Sequence, residues 1–301
     1  MQPENTIDLT KFQIWTLAIR PKPLPAAGAG VIAGSALAFY DGYFHLLPAL
    51  ATLIGALLLQ IGSNLANDVF DYLRGAESKE RLGPLRVTQA GLLTPKEVQA
   101  GMWLTFFLSA LIGIYLITVA GWAILLIGLT AILAAIAYTG PISDKGGLAD
   151  IFVFLYFGVA AVVGTYYVQA LRTSPAAWWM SVPIGLLIVN ILVVNNLRDI
   201  DMDKLAGKIT TAVRFGVIVT RKEYLVLLVI SYLILPVLMW ANIIPVWTLV
   251  VWLSIPFAWK VALVVFSELG RPLNQALAGT GKIALLYSVL FLVGISIAKL
   301  F

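Results

Sequence analysis

The chain has 301 residues, of which 60% are hydrophobic and only 12% charged, and it carries a net charge of +5. Soluble domains are about 25% charged, so this composition, with a mean hydropathy of +0.94, excludes an ordinary soluble domain. Cysteine is absent and His45 is the single histidine, which excludes a disulfide framework, thiolate chemistry and any Cys- or His-built metal centre. The basic excess is not a nucleic-acid signal, because no basic stripe alternates with stacking aromatics on a soluble segment. It fits loops facing anionic membrane lipid.

A membrane-spanning helix needs about 20 mostly apolar residues, and runs of that kind organise the whole sequence. Residues 1–23 are polar and hold Lys11, Arg20 and Lys22. No signal peptide is expected there, so the first spanning helix is expected to direct insertion. The first two runs lie near 24–40 and 46–65. The second leads into the acidic cluster Asn64-Leu65-Ala66-Asn67-Asp68-Val69-Phe70-Asp71 and a long basic gap, about 66–100, with Arg74, Glu77, Lys79, Arg81, Arg86 and Lys96. Runs follow near 101–119, 121–139, 149–170 and 178–197. The last of these leads into a second cluster, Asn195-Asn196-Leu197-Arg198-Asp199-Ile200-Asp201-Met202-Asp203. A second basic gap, 198–223, holds Lys204, Lys208, Arg214, Arg221 and Lys222, before runs near 224–241, 244–265 and 282–300.

Nine runs predict an all-α bundle of nine transmembrane helices, one domain over 1–301, made of two similar halves. The basic residues supply an independent check. With the N-terminus in the cytoplasm, every Lys and Arg except Arg172 and Lys299 falls on the cytoplasmic side, as the positive-inside rule requires. Both acidic clusters then face the cytoplasm from a multi-pass protein of the cell (inner) membrane.

Carboxylates at a bilayer edge are costly and point to function. Residues i, i+4 and i+7 share a helix face, so Asn64, Asp68 and Asp71 line up beside Asn67, and Asn195, Asp199 and Asp203 form a second stripe. Carboxylate and amide oxygens without His or Cys suit Mg²⁺, which takes one or two carboxylates plus substrate phosphates. Lys79, Arg81, Arg86, Arg198, Lys204, Lys208 and Arg214 can neutralise phosphate oxygens. The two stripes are expected to form one site for an Mg²⁺-bound diphosphate.

These segments resemble the UbiA superfamily of intramembrane prenyltransferases. Within it they are similar to the menaquinone branch, the 1,4-dihydroxy-2-naphthoate polyprenyltransferases. The resemblance rests on Arg20-Pro21-Lys22-Pro23, Ser63 to Asp71, Gly83-Pro84-Leu85-Arg86, Tyr138-Thr139-Gly140-Pro141, Asp150 to Gly158, Gly164 to Gln169, Asn195 to Asp203, Gly207 to Gly216 and Leu273-Asn274. It covers nearly the whole chain. Two departures stand out: Gly75 occupies a place where the superfamily often has a third Asp, and Glu77 stands where the branch usually has Asp.

The resemblance implies an aromatic prenyltransferase. Mg²⁺ held by Asp68, Asp71, Asp199 and Asp203, with Glu77 as a further ligand, would bind the diphosphate of an allylic polyprenyl donor. The ring of 1,4-dihydroxy-2-naphthoate would attack the allylic carbon with loss of CO₂ and diphosphate, giving demethylmenaquinone. No protein nucleophile is needed. Tyr138, Tyr166 and Tyr167 are candidates to flank the allylic cation, and Arg20 and Lys22 to meet the acceptor carboxylate. The rival readings are another aromatic acceptor or a phytyl donor within the same family and, in another class, a secondary transporter, whose coupling acids usually lie near the bilayer midplane.

Overall fold

In the computed structural model, residues 9–74, 82–137 and 147–301 are described. They form helices and no β-strand. A short amphipathic entry helix, α1 (Lys11–Ile19), starts with a reciprocal cap in which Thr10 and Gln13 satisfy each other's backbone N–H. It ends at Arg20, in the left-handed region at φ 55°, where Pro21 and Pro23 prevent the helix from continuing. The chain resumes as α2 (Leu24–Tyr40), bent 57° from α1.

Then come α3 (Leu46–Leu73), α4 (Pro95–Ala120) and α5 (Trp122–Ala137). Next is α6 (Leu148–Ala170), whose middle turns, Phe154–Ala160, are π-helical. After it come α7 (Pro175–Arg198), the single-turn α8 (Ile200–Leu205) and α9 (Thr211–Trp240), broken at Gly216, φ 81°. The last two are α10 (Val246–Ser267), opening as a 3₁₀ segment over Val246–Ser254, and α11 (Leu273–Leu300).

Among the described residues, the apolar runs coincide to within a few residues with α2, α3, α4, α5, α6, α7, α9, α10 and α11. Among the described residues, seven of the helices are long and apolar enough to cross a membrane, or eight spans if the bent α1–α2 pair counts as one. The remaining one, α5, has 16 residues.

Where the helices outrun their apolar stretches, they do so at one end of the bundle. The second run ends near 65 but α3 continues to Leu73. At that same end α4 begins at Pro95, α9 at Thr211 and α11 at Leu273, ahead of the runs. Helical hydrogen bonding needs no apolar side chain once water can reach the outer face, so these polar turns stay helical. Thr94 with Glu97, Thr210 and Ser174 cap the starts of α4, α9 and α7, supplying acceptors to otherwise unpaired N–H groups.

The largest buried cluster draws on α2, α6, α7, α9, α10 and α11, with Leu187, Tyr224, Tyr287 and Phe291 at its centre. A second cluster joins α1, α3 and α4 around Leu65, Val98 and Met102. Helix α2 belongs to the larger core, so the two halves expected from the sequence are interleaved through it. Three buried tyrosine hydroxyls in the large core are paired: Tyr224 with Thr280 at 3.1 Å, Tyr232 with Ser254 at 2.7 Å, and Tyr287 donating to the Ser231 carbonyl at 2.7 Å.

In lipid there is little hydrophobic drive between helices, and close backbone approach through small residues takes its place. A Cβ on Gly158 of α6 would lie 2.7 Å from Gly185 Cα and 2.9 Å from the Ser181 carbonyl of α7. Both are backbone atoms that cannot step aside. Gly158→Val is therefore expected to destabilise the fold by about 1–3 kcal/mol, read as a lowered Tm in detergent. Gly113→Ala, with nothing within 4 Å, should leave Tm unchanged.

Candidate active site

The last turns of α3 carry the first acidic cluster. The Asn64 amide donates to the Ile19 carbonyl at 2.8 Å and accepts from Gln60 Nε2 at 3.0 Å, so it ties the end of α1 to α3. The Asp68 side chain is 1% exposed. Its Oδ2 accepts from the Val87 N–H and its Oδ1 from the Thr88 N–H, both at 3.2 Å, with Arg20 Nη2 4.0 Å away. Asp71 is more open. Its oxygens meet Arg74 Nη2 at 2.7 Å and Arg86 Nη2 at 2.5 Å. The other arm of Arg86 donates to the Asn67 carbonyl.

The second cluster spans the junction of α7 and α8. Asp199 leaves α-helical geometry, φ −96° and ψ 8°, yet its N–H reaches the Asn195 carbonyl at 3.1 Å and its carbonyl takes the Asp203 N–H at 2.8 Å. The Asn195, Asp199, Asp203 stripe therefore survives the break between helices. Arg198, 2% exposed, grips both Asp199 oxygens at 2.8 and 2.5 Å, the Asn195 amide oxygen at 2.8 Å and Asn274 Oδ1 at 2.9 Å. Lys208 Nζ lies 3.9 Å from Asp203 Oδ1.

Asn274 joins the clusters. While its oxygen accepts from Arg198, its Nδ2 donates to the Leu82 carbonyl at 2.9 Å. Leu82 begins the described loop that also delivers Arg86, Val87 and Thr88 to α3. A continuous set of polar contacts thus runs from Asp199 through Arg198, Asn274 and this loop to Asp68 and Asp71. Both clusters sit at the end of the bundle where the helices outrun their apolar stretches.

The structure does not bring every expected residue here. Tyr166 and Tyr167 sit near the far end of α6, about 24 Å along the helix from Asp150 at 1.5 Å per residue. Tyr166 donates to Asp41 Oδ2 at 2.5 Å in the opposite-end loops, and Tyr167 packs beside Leu116 and Ile124. Helix α6 is too long for residues near its two ends to share one site. A cavity of about 660 Å³ at that far end is lined by Phe44, His45, Tyr115 and Gln169 and is remote from the acids. Lys22, Lys204 and Arg214 are exposed, with Arg214 stacked 5.3 Å from the Phe215 ring centre. Arg221 instead caps α10, donating to the Val265 and Glu268 carbonyls at 2.9 and 2.8 Å. Glu77, Lys79, Arg81 and Tyr138 lie outside the described residues.

Among the described residues, no three acids or histidines converge as a ready-made metal cage. The donor chemistry still suits Mg²⁺, which needs only one or two carboxylates besides substrate phosphates. Asp71, Asp199 and Asp203 are 20%, 21% and 14% exposed, so each is reachable, and each has a cationic neighbour. Asp68 differs, with both oxygens engaged by buried backbone N–H groups. Asn274 is the linking residue that the acidic stripes do not reveal; the sequence marks it only within the Leu273-Asn274 segment of the family resemblance, with no role attached.

An all-helical membrane bundle with two acid-bearing helix ends joined at one face defines the class. The chain belongs to the UbiA prenyltransferase family, whose model matches residues 27–289. It is 38% identical over 300 residues to 1,4-dihydroxy-2-naphthoate octaprenyltransferase of Escherichia coli K12, covering 97% of each chain. It is 36% identical to the Haemophilus influenzae protein of the same name, covering 95% of this chain and 97% of that one. A UbiA homologue from Archaeoglobus fulgidus bound to DMAPP and Mg²⁺ superposes with a TM-score of 0.64 at 17% identity, over 94% of this chain and 99% of that one. The apo homologue from Aeropyrum pernix K1 gives 0.67 at 14%, over 96% and 99%.

Arg198 is the site's most connected side chain. Arg198→Met should leave Asp199 without its buried partner and detach Asn274, at a cost of about 3–5 kcal/mol, measured by thermal or denaturant unfolding in detergent.

Proposed function

We propose that the protein transfers a polyprenyl group from an allylic diphosphate to 1,4-dihydroxy-2-naphthoate, releasing CO₂ and diphosphate and giving demethylmenaquinol, the reduced form of demethylmenaquinone, in menaquinone biosynthesis. The observation that carries this reading is the linked pair of acidic helix ends, each with guanidinium or ammonium groups against its carboxylates. The near-full-length relatives named for that naphthoate support the choice of acceptor.

Asp71, Asp199 and Asp203, together with Glu77, would hold Mg²⁺. When bound, the metal neutralises the growing charge of the departing diphosphate. Arg86, Arg198 and Lys208, joined by Lys79 and Arg81, bind the diphosphate oxygens, while Lys204 and Arg214 draw the anion in from the rim. Arg20 meets the acceptor carboxylate from the side of Asp68, and Lys22 adds positive charge to the entrance. The allylic C–O bond breaks, its electron pair leaves with the diphosphate, and the electron-rich ring forms the new C–C bond before losing its carboxyl as CO₂. Tyr138 remains the aromatic candidate beside the allylic carbon. Transport fits less well, because the acids lie at one end of the bundle rather than at its middle.

In the proposed topology nine helices span the cell membrane, with the N-terminus and both clusters on the cytoplasmic side. The distribution of Lys and Arg supports it. The chain has no cysteine, so single introduced thiols report sidedness directly. Lys204→Cys should react with an impermeant maleimide only from the cytoplasmic face, and Arg172→Cys only from the other. The reverse pattern overturns the orientation.

The activity is tested with purified protein, Mg²⁺, a polyprenyl diphosphate and a panel of aromatic acceptors. Prenylated product is expected with the dihydroxynaphthoate and not with 4-hydroxybenzoate; the opposite result overturns the acceptor. Asp199→Asn, which keeps an oxygen acceptor for the buried Arg198, should lower kcat by at least about 100-fold, measured on protein shown by its unfolding curve to be folded at the assay temperature.

A further inference from the structure

We propose that Asp68 is a positioning residue: it clamps the 86–92 turn and through it aims Arg86, rather than ligating metal. This rests on the prenyl-transfer reading and assigns a separate task to one acid of its motif. The argument begins with the turn. The Ala90 N–H reaches the Arg86 carbonyl at 3.0 Å, the Leu92 N–H reaches the Val87 carbonyl at 3.0 Å, and Gly91 closes the turn at φ 68°. A helical turn leaves its first N–H groups without internal partners. Here those are Val87 and Thr88, 0% and 4% exposed, where water cannot serve them.

Asp68 supplies one carboxylate oxygen to each, at 3.2 Å, and so caps this turn from another helix. Arg86 stands at the head of the same turn. Its guanidinium reaches back to α3, to the Asn67 carbonyl and to Asp71 Oδ2. The backbone grip at Asp68 and the side-chain grip at Asp71 are therefore two ends of one docking.

A metal approaching Asp68 would have to enter a pocket where the acid is 1% exposed and compete for oxygens that already accept from two buried N–H groups. Asp71, Asp199 and Asp203 are 20%, 21% and 14% exposed, and their partners are side-chain cations that can turn to a diphosphate, unlike fixed backbone N–H groups. The motif then divides its labour: Asp71 faces the reaction, and Asp68 holds the loop that brings a cation to Asp71.

The test is a double-mutant cycle in the full-length protein. Asp68→Asn keeps one acceptor and places an amide donor against the other N–H. It should raise KM for the polyprenyl diphosphate by about 10-fold while moving the half-saturating Mg²⁺ concentration by less than about 2-fold. In an Arg86→Gln background the same change should add less than about 2-fold, because both act through one group. Val87→Pro leaves the acid intact but removes one clamped N–H, and should reproduce the KM effect. It also keeps the test open if Asp68→Asn fails to fold.

Amide exchange of the peptide holding Val87 and Thr88 should quicken in Asp68→Asn. A shift of 10-fold or more in half-saturating Mg²⁺, matching that of Asp199→Asn, overturns the proposal, as do independent, multiplying effects of Asp68→Asn and Arg86→Gln. If the wild type turns over no acceptor, the prenyl-transfer reading fails, while the exchange measurement still judges the clamp.

Discussion

The constraint on which this molecule depends is the compensation of charge at the edge of an apolar bundle. Four carboxylates lie within a few helical turns of hydrocarbon, and none is left to water alone. Arg198 is the clearest case. Its planar fork holds both oxygens of Asp199 while its remaining N–H groups reach Asn195 and Asn274. A point-like ammonium has only three donors and no fork, and could not make these four hydrogen bonds to three residues. Arg86 plays the corresponding part for the first cluster, bridging a backbone carbonyl and Asp71. The acids are thus stored in ion pairs whose cations are themselves suited to phosphate oxygens.

The helical architecture around these pairs follows from two different rules. Within the apolar slab, packing is set by small residues, as where Gly158 meets Gly185. Beyond the slab at the acidic end, α3, α4, α9 and α11 continue as polar helix held by caps and internal hydrogen bonds. The site is built at this end, from the last turns of α3, the α7–α8 junction, the 82–92 loop and the start of α11, so its side chains remain open to water-borne anions.

Much of this was legible in the sequence. Hydropathy placed the nine helical segments because a bilayer leaves a long, simple signature. The i, i+4 spacing anticipated the Asn195–Asp199–Asp203 stripe even though the helix breaks at Asp199. Spacing could not separate Asp68 from Asp71, since a face shared on one helix says nothing about which loop folds over part of it. Tyr166 and Tyr167 were misleading because aromatic residues at a membrane edge look alike at either end of a helix, and only the direction of α6 places them opposite the acids. Asn274 stood out only within the Leu273-Asn274 segment of the resemblance, and its linking role was hidden because its partners, Arg198 and Leu82, are far away in sequence.

The contact between Asn274 and Leu82 joins residues 192 positions apart. It sets an order on biogenesis. As the chain leaves the ribosome, α3 and its acids enter the membrane early, and α7 with Arg198 follows, but the amide that ties Leu82 to Arg198 is made only when α11 begins. Until α11 is made, the link that Asn274 provides between Leu82 and Arg198 is missing. The joined site therefore cannot be complete before that helix enters the bundle.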